Sequence, residues 1–386
     1  MAQPSLCVVT HTFLPHVGGI ERVVYEQCKR LMQKQFKLTV LTHRNCMDKN
    51  YVFDGIQVRC YDSINFGFRV GIPYSIPQIA SFKTFLETVK AHDIIHVHGH
   101  PYLSSLLAAK IAKRYAKPLV VTQHNTFIEY ESSFWDHVEW LNDSAVGKQV
   151  LKEADKIVAV SNATKNYVLS LGADPEKTEV LHNGVDLNRF KPSTRIKDEM
   201  RKKLGISKDA NVVITVRRLV YKNGIDTLIE SAKVAVQKNP RIVFLAVGKG
   251  PDLLQIQEKI RQLGIEKNFK LTGFVSDEKL PFYYNAADFF VLPSKSGEGL
   301  PLVALEAMSC GLPVIATNVG GISEVMMEDY GRLVPPDNPA SLAEAIVDFS
   351  HQDFSALKKG LRIMVEEKYS WDRNVEKLVE IYEELI

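Results

Sequence analysis

The sequence predicts an α/β protein of two doubly wound, Rossmann-like domains facing across a cleft. Three observations predict it. Short apolar runs alternate with amphipathic stretches from end to end, the pattern of parallel sheets covered by helices on both faces. The length, 386 residues, is too great for one small core. A turn-rich segment without periodicity, residues 182–192, interrupts the alternation near the middle of the chain.

In the first half, strands are expected at Leu6–Thr10, Leu38–Thr42, Ile56–Cys60, Ile94–Val97, Leu119–Thr122, Ile157–Val160 and Glu179–Leu181. Helical periodicity separates many of them, at Ile20–Met32, Ile76–Lys90, Tyr102–Tyr115 and Ala163–Leu171. The second half repeats the scheme. Strands are expected at Val212–Val216, Ile242–Val247, Phe269–Thr272, Phe289–Leu292 and Val314–Thr317. Helices are expected at Gly224–Lys238, Asp252–Leu263, Asp277–Ala286, Leu302–Cys310 and Pro339–Ser350. The expected domains are residues 1–190 and 191–370, with the amphipathic segment 371–386 crossing back onto the first.

Composition excludes several classes. Hydrophobic residues make up 45% and charged residues 24%, as in a soluble globular protein. No window approaches 18 uninterrupted apolar residues, so a membrane span is not expected, and the N-terminus reads as no signal peptide. Five widely spaced cysteines, Cys7, Cys28, Cys46, Cys60 and Cys310, form no C-x-x-C pair and suit a reducing cytoplasm. A net charge of +3 gives no reason to expect nucleic acid. The first 193 residues carry 22 Lys and Arg against 18 Asp and Glu. That mildly basic half suits a phosphorylated partner or the cytoplasmic face of an anionic membrane.

The most informative run is Pro293 to Met308, PSKSGEGLPLVALEAM. Glu298 lies in its Gly-rich loop, and Glu306 lies seven intervening residues later inside an apolar helix. A buried carboxylate needs hydrogen-bond donors, which a sugar diol, an ion pair or a neighbouring helix end supplies. Pro301 fits the first helical position, and Gly311 and Pro313 mark the end. Glu298 is thus expected where a strand-end loop meets a helix N-terminus, the usual ligand position in parallel α/β sheets.

Other strand-end loops carry candidates. Arg217, Arg218 and Lys222 follow the strand ending at Val216, where fixed cations meet developing anionic charge. Gly18 and Gly19 open the first long helix, either as an ordinary turn or as an anion-binding loop. Lys249 and Gly250 follow Val247, and Val275 follows the strand ending at Thr272. His124 follows Thr122 and is either a hydrogen-bonded structural histidine or a reactive-site group. His96, His98 and His100 alternate near a strand end but have no acidic or thiol ligand beside them, so no metal site is expected. No D-x-D occurs in the chain. The aromatic stretch Ile64–Tyr74 suits an apolar acceptor, a lipid interface or simple packing on its own domain.

Together these motifs resemble the glycosyltransferases of the GT-B fold, and family four in particular. The resemblance rests on the E-x7-E spacing of Glu298 and Glu306, the Gly18-Gly19 loop and the Arg-rich turn. It rests also on Asn183-Gly184-Val185-Asp186 with Phe190 and Pro192, and on Gly320-Gly321-Ile322-Ser323-Glu324. It spans almost the whole chain. It implies a retaining hexosyl transfer from a nucleotide-diphosphate sugar, a UDP-sugar or GDP-mannose, to a glycan or lipid-linked acceptor. It implies no required metal, and no cofactor beyond the nucleotide sugar as co-substrate. Peripheral membrane contact is a further expectation, and nucleic acid is not.

By the same resemblance, Glu306 would hold the ribose hydroxyls and Glu298 those of the donor sugar. Gly299 and Leu300 would offer backbone N–H groups, with Leu302 lining the same site. Arg218 and Lys222 would meet the diphosphate, as would Gly18 and Gly19 from the first domain. Lys249, Gly250 and Val275 would line the nucleoside, and His124 would sit near the reacting sugar. Two departures stand out. Leu300-Pro301 replaces the frequent Phe-Gly, and Asn223 occupies the usual Lys place with Lys222 one position earlier. Rival readings are a nucleotide-sugar epimerase on the same fold and a non-catalytic binding subunit.

Overall fold

In a computed structural model of the protein, residues 4–16, 18–44, 50–66, 74–326 and 330–386 are described. Val17, Cys46 and residues 67–73 of the aromatic stretch lie outside the described residues. The chain divides into two units. Unit 1 takes residues 1–127, 132–183 and 371–386, and unit 2 takes 128–131 and 184–370. The changeover therefore precedes the expected boundary at 190 and falls inside the turn-rich segment. Hydrogen bonds explain it. Val185 N–H donates to Tyr369 at 2.8 Å, and Arg362 donates to the carbonyls of Phe190 and Leu187 at 2.9 and 3.0 Å.

Unit 1 begins with β1 (Ser5–Thr10), α1 (Gly19–Gln33), β2 (Lys37–His43), β3 (Asn50–Phe53) and β4 (Ile56–Tyr61). A hairpin of β5 (Ser63–Phe66) and β6 (Tyr74–Pro77) precedes α2 (Phe82–Lys90) and β7 (Ile94–His98). Then come α3 (Leu103–Arg114), β8 (Leu119–Gln123), α4 (Ser133–Asn142), α5 (Lys148–Glu153), β9 (Lys156–Ala159), α6 (Asn162–Ser170) and β10 (Thr178–Val180). Eight strands form one sheet in the order β10-β9-β8-β7-β1-β2-β4-β3, parallel except for β3 against β4.

The period of two along β1 decides which core each side chain joins. Leu6 and Val8 enter one cluster and Cys7 and Val9 the other, so the sheet is buried on both faces. The first cluster includes Val375, Leu378, Ile381 and Tyr382 of the closing helix Trp371–Glu383. Its apolar stripe is thus an integral part of the unit 1 core.

The expected helix Ile76–Lys90 starts later than periodicity suggested. Tyr74–Pro77 pairs antiparallel with Ser63–Phe66, a short 3-10 turn follows, and the α-helix begins at Phe82. Cross-strand pairing here overrides the apolar spacing of Ile76, Ile79 and Phe82.

Unit 2 comprises α7 (Thr194–Lys203), β11 (Asn211–Val216), α8 (Ile225–Lys238), β12 (Ile242–Val247), α9 (Leu253–Gln262), β13 (Phe269–Gly273) and α10 (Leu280–Ala286). It continues with β14 (Phe289–Leu292), α11 (Leu302–Ser309), β15 (Val314–Thr317), α12 (Ile322–Val325), β16 (Gly331–Val334), α13 (Pro339–Ser350) and α14 (Leu357–Lys368). Its six strands are all parallel, in the order β13-β12-β11-β14-β15-β16. Strand order reverses between β11 and β14, so the loops after these two strands flank a topological switch point.

Capping is local and legible. Ser193 accepts from Ile196 N–H at 3.4 Å, and Asn338 accepts from Ser341 N–H at 3.0 Å, with Pro339 opening α13. Among the described residues the cysteines are buried free thiols, and no helix is long and apolar enough to cross a membrane.

Candidate active site

The candidate residues of unit 2 lie on loops at the carboxyl edge of its sheet. The loop after β11 runs over Arg217, Arg218 and Leu219 into a 3-10 turn at Tyr221–Asn223. Gly224 then takes a left-handed φ of 67° to start α8, and a Cβ there would stand 1.8 Å from the Pro293 carbonyl oxygen. That glycine lets the β11 loop lie directly against the loop after β14. Gly250 performs the same service beside Leu219, whose carbonyl oxygen a Cβ would meet at 2.0 Å.

Glu298 lies in the β14 loop and is buried. Its Oε1 accepts a hydrogen bond from Ser294 Oγ at 2.7 Å and another from the Arg217 guanidinium. Arg217 donates also to Ser294 Oγ and, at 3.0 Å, to Asn223 Oδ1. Burial by itself would raise the Glu298 carboxyl. The charges of Arg217 and Lys222, with the two hydrogen bonds, outweigh it and hold the group below the ordinary carboxylate range. Glu298 is therefore an anion in a dry, donor-rich corner.

Lys295 fastens the same loop. Its Nζ meets Asp226 at 2.7 Å and Asp337 at 3.0 Å, and lies 4.4 Å from the centre of the Tyr221 ring. Ser296 accepts from Glu129 N–H at 2.9 Å, and Gly297 packs on Ile128, which is why residues 128–131 belong to unit 2.

Helix α11 begins at Leu302, with Pro301 one position earlier than expected, as the residue before the helix. Leu300 and Leu302 are buried beside it, and Gly299 is buried as well. Glu306, 3% exposed, accepts a hydrogen bond from Tyr284 Oη at 2.9 Å. The Tyr284 ring is held by Phe190 and Phe290, at centroid distances of 5.8 and 6.0 Å.

Arg218 aligns with the expected cation position, but its side chain is exposed while the neighbouring Arg217 turns inward to Glu298. Lys222 is half-buried, and its charge acts on Glu298. Lys249 is exposed, 5.1 Å from the centre of the Phe274 ring, and Val275 is half-buried. Arg218, Lys222, Lys249, Gly250, Val275 and the residues of the Glu298–Glu306 segment all belong to unit 2. Gly18, Gly19 and His124 belong to unit 1.

In unit 1, the Glu21 carboxylate lies over Gly18, where a Cβ would meet its Oε2 at 2.3 Å. Thr12 Oγ1 hydrogen-bonds the same carboxylate. His124 is buried, and its Nε2 lies 2.9 Å from His98 Nδ1. His96 bridges Thr122 and Tyr382 at 2.7 Å on each side. Burial drives His96 and His124 down to about 3 and His98 well below its usual value, so all three imidazoles are neutral at pH 7. Each neutral imidazole carries one N–H donor and one acceptor nitrogen. Among the described residues no group of three or more His, Cys, Asp or Glu is arranged to hold a metal ion.

Sequence reasoning gave no site role to Ser294 or Tyr284, and none to Arg217 beyond its place in the cationic turn. Arg217 was visible as one of two adjacent arginines, but adjacent side chains at a strand end point to opposite sides and sequence does not say which. Tyr284 lies 22 residues before Glu306 on another helix, and no spacing rule links them.

Comparison with known proteins gives a consistent result. Residues 17–189 match the family described as Glycosyltransferase Family 4, and residues 196–369 match Glycosyl transferases group 1. The chain is 30% identical to D-inositol 3-phosphate glycosyltransferase of Geodermatophilus obscurus, over 95% of this chain and 84% of that protein. It is 26% identical to UDP-Gal:alpha-D-GlcNAc-diphosphoundecaprenol alpha-1,3-galactosyltransferase of Escherichia coli, over 97% and 95% of the two chains. Among solved structures, Anabaena HepE in complex with UDP-glucose matches with a TM-score of 0.80 at 20% identity, over 99% of this chain and 100% of that one.

Proposed function

The chain belongs to the group 1 glycosyltransferases and has the GT-B fold, and from that premise we propose a retaining, metal-independent hexosyl transfer. The donor is a nucleotide-diphosphate sugar, a UDP-sugar or GDP-mannose, and the acceptor is a hydroxyl of a glycan or lipid-linked molecule. The observation that carries the reading is the ionised Glu298, paired with Arg217 at the switch point on the loop that leads into α11, where Glu306 is buried. The relative named for UDP-galactose and a diphosphoundecaprenol-linked acceptor, and the neighbour bound to UDP-glucose, support the same donor and acceptor classes.

In this reading Glu306 takes the ribose hydroxyls. Glu298 takes hydroxyls of the sugar, helped by backbone N–H groups at Gly299 and Leu300, with Leu302 behind them. Arg218 and Lys222 meet the diphosphate, and Lys249, Gly250 and Val275 line the nucleoside. On unit 1, Gly18 and Gly19 offer close backbone approach to an anion, and the neutral His124 takes a hydroxyl. The anomeric carbon–oxygen bond to the diphosphate breaks as the acceptor oxygen bonds on the same face. The acceptor proton passes to the departing diphosphate oxygen. Fixed cations facing that oxygen stabilise the charge as it develops. Buried thiols suit a reducing compartment, and we assign the protein to the cytoplasm, with a membrane face for a lipid-linked acceptor.

The test is turnover of UDP-sugars and GDP-mannose, with and without membrane extract, with the anomeric configuration of the product read by NMR and chelator added in parallel. Retained configuration and full activity in chelator are expected. An inverted product, loss of activity in chelator, or conversion of donor to an isomeric sugar nucleotide without acceptor would each overturn part of this reading.

A further inference from the structure

Arg217 is a buried arginine on the loop that faces the donor's phosphates in the proposed function. Its side chain is 7% exposed. A guanidinium carries five N–H donors. Among the described residues, Nη1 is engaged once, by Ser294, and Nη2 twice, by Asn223 and Glu298. The Nε–H and the second Nη1–H are left for a ligand. The pairing with Glu298 runs through Nη2 alone, whereas an arginine used only as a counterion favours the two-point fork.

Charge points the same way. Arg217, Arg218 and Lys222 crowd one short loop, which therefore presents cationic groups to an anionic ligand. The partner Asn223 adds position. Its Nδ2 donates to the Arg218 carbonyl at 2.6 Å, which fixes Oδ1 toward Arg217 at 3.0 Å. By the resemblance to family four, residue 223 is a usual lysine position, and here the Arg217 guanidinium lies against the neutral Asn223 that stands there.

We infer that Arg217, oriented by Asn223 and Ser294, is the fixed cation that binds the diphosphate of the nucleotide sugar, in place of a lysine at position 223. The inference rests on the assignment of unit 2 as the donor site, and it adds a residue to that site.

The experiment is calorimetric binding of UDP, GDP and ADP, and of the matching nucleosides, to the full chain. In Arg217→Gln, affinity for the diphosphate that the wild type binds falls at least tenfold, while nucleoside affinity stays within twofold. Turnover falls about 10²–10³-fold. Adding Asn223→Lys to Arg217→Gln restores at least tenfold of the diphosphate affinity. Three results overturn the inference: diphosphate affinity within twofold of wild type, equal losses for nucleoside and diphosphate, or no rescue by Asn223→Lys. Should Arg217→Gln not fold, Arg217→Lys keeps the charge without the fork, and its diphosphate-to-nucleoside loss ratio answers the same question. Wild-type protein that binds none of the three diphosphates defeats the donor-site assignment itself. Wild-type binding that Arg217→Gln leaves intact defeats only the inference.

Discussion

Replacing Glu298 by Gln removes one charge and keeps the shape of the side chain. In the wild type, Oε1 accepts from Arg217 and from Ser294, and the guanidinium is almost entirely out of water. An amide oxygen still accepts both hydrogen bonds, so the loss is chiefly that of the counter-charge. Removing one partner of a buried pair typically costs about 3–5 kcal/mol, and the retained acceptor lowers the expectation here to about 2–4 kcal/mol. The three tryptophans, Trp135, Trp140 and Trp371, all lie in unit 1, so intrinsic fluorescence does not report the change. Hydrogen exchange of β11 and β14 amides does, with protection reduced about 30- to 1,000-fold where exchange needs unit 2 to open. The pH dependence is a second readout. Glu298 is held below its unfolded value near 4.3, so its contribution is present above that pH and lost as pH falls through the lower folded value. The difference between Glu298→Gln and wild type is therefore constant from pH 5 to 8. Unchanged protection, or a difference that drifts across that window, would refute the ion-pair argument.

Gly224→Ala and Gly264→Ala share a left-handed φ, 67° and 65°, but only the first sets a Cβ against a backbone oxygen, at 1.8 Å. Denaturation should show a loss of about 1 kcal/mol for Gly264→Ala and more than about 4 kcal/mol for Gly224→Ala. Burial holds His11, His96 and His124 at about 3 and His98 well below its usual value, so only the unfolded state takes protons below pH 6.5. Stability of unit 1 is then full above pH 6.5 and falls with acidification, by about 1 kcal/mol per histidine between pH 7 and 5.5. Tryptophan-monitored urea titrations at those two pH values check this, and equal midpoints would contradict it. Tyr284→Phe leaves Glu306 short of a donor and should cost about 1.5–3 kcal/mol, with weaker binding of the nucleoside diphosphate. A wild-type melting temperature and unchanged affinity would show that the hydroxyl is dispensable.

Local pattern carried much of the architecture. Continuous apolar runs such as Val212–Val216 and Phe289–Leu292 are legible because a strand buried on both faces needs no polar alternation. The hairpin over Ser63–Phe66 and Tyr74–Pro77 was not legible, because pairing partners override the intrinsic preference of short segments. The same division applies to the site. Glu298 and Glu306 stand out as charges inside an otherwise apolar run, and the glycines around them announce close backbone approach.

By itself the chain's order of residues determined that two mainly parallel sheets form, where the loops at their carboxyl edges fall, and that two carboxylates sit on one loop and the helix that follows it. Those are consequences of periodicity and of the cost of burying charge, both of which act over a few neighbours. Only the tertiary structure decided that Arg217 and not Arg218 turns inward, that Asn223 and Ser294 hold its fork, and that Tyr284 serves Glu306. The physical reason is distance along the chain. Arg217 reaches a carboxylate 81 residues away, and a hydrogen bond across such a span depends on how whole strands and helices are stacked.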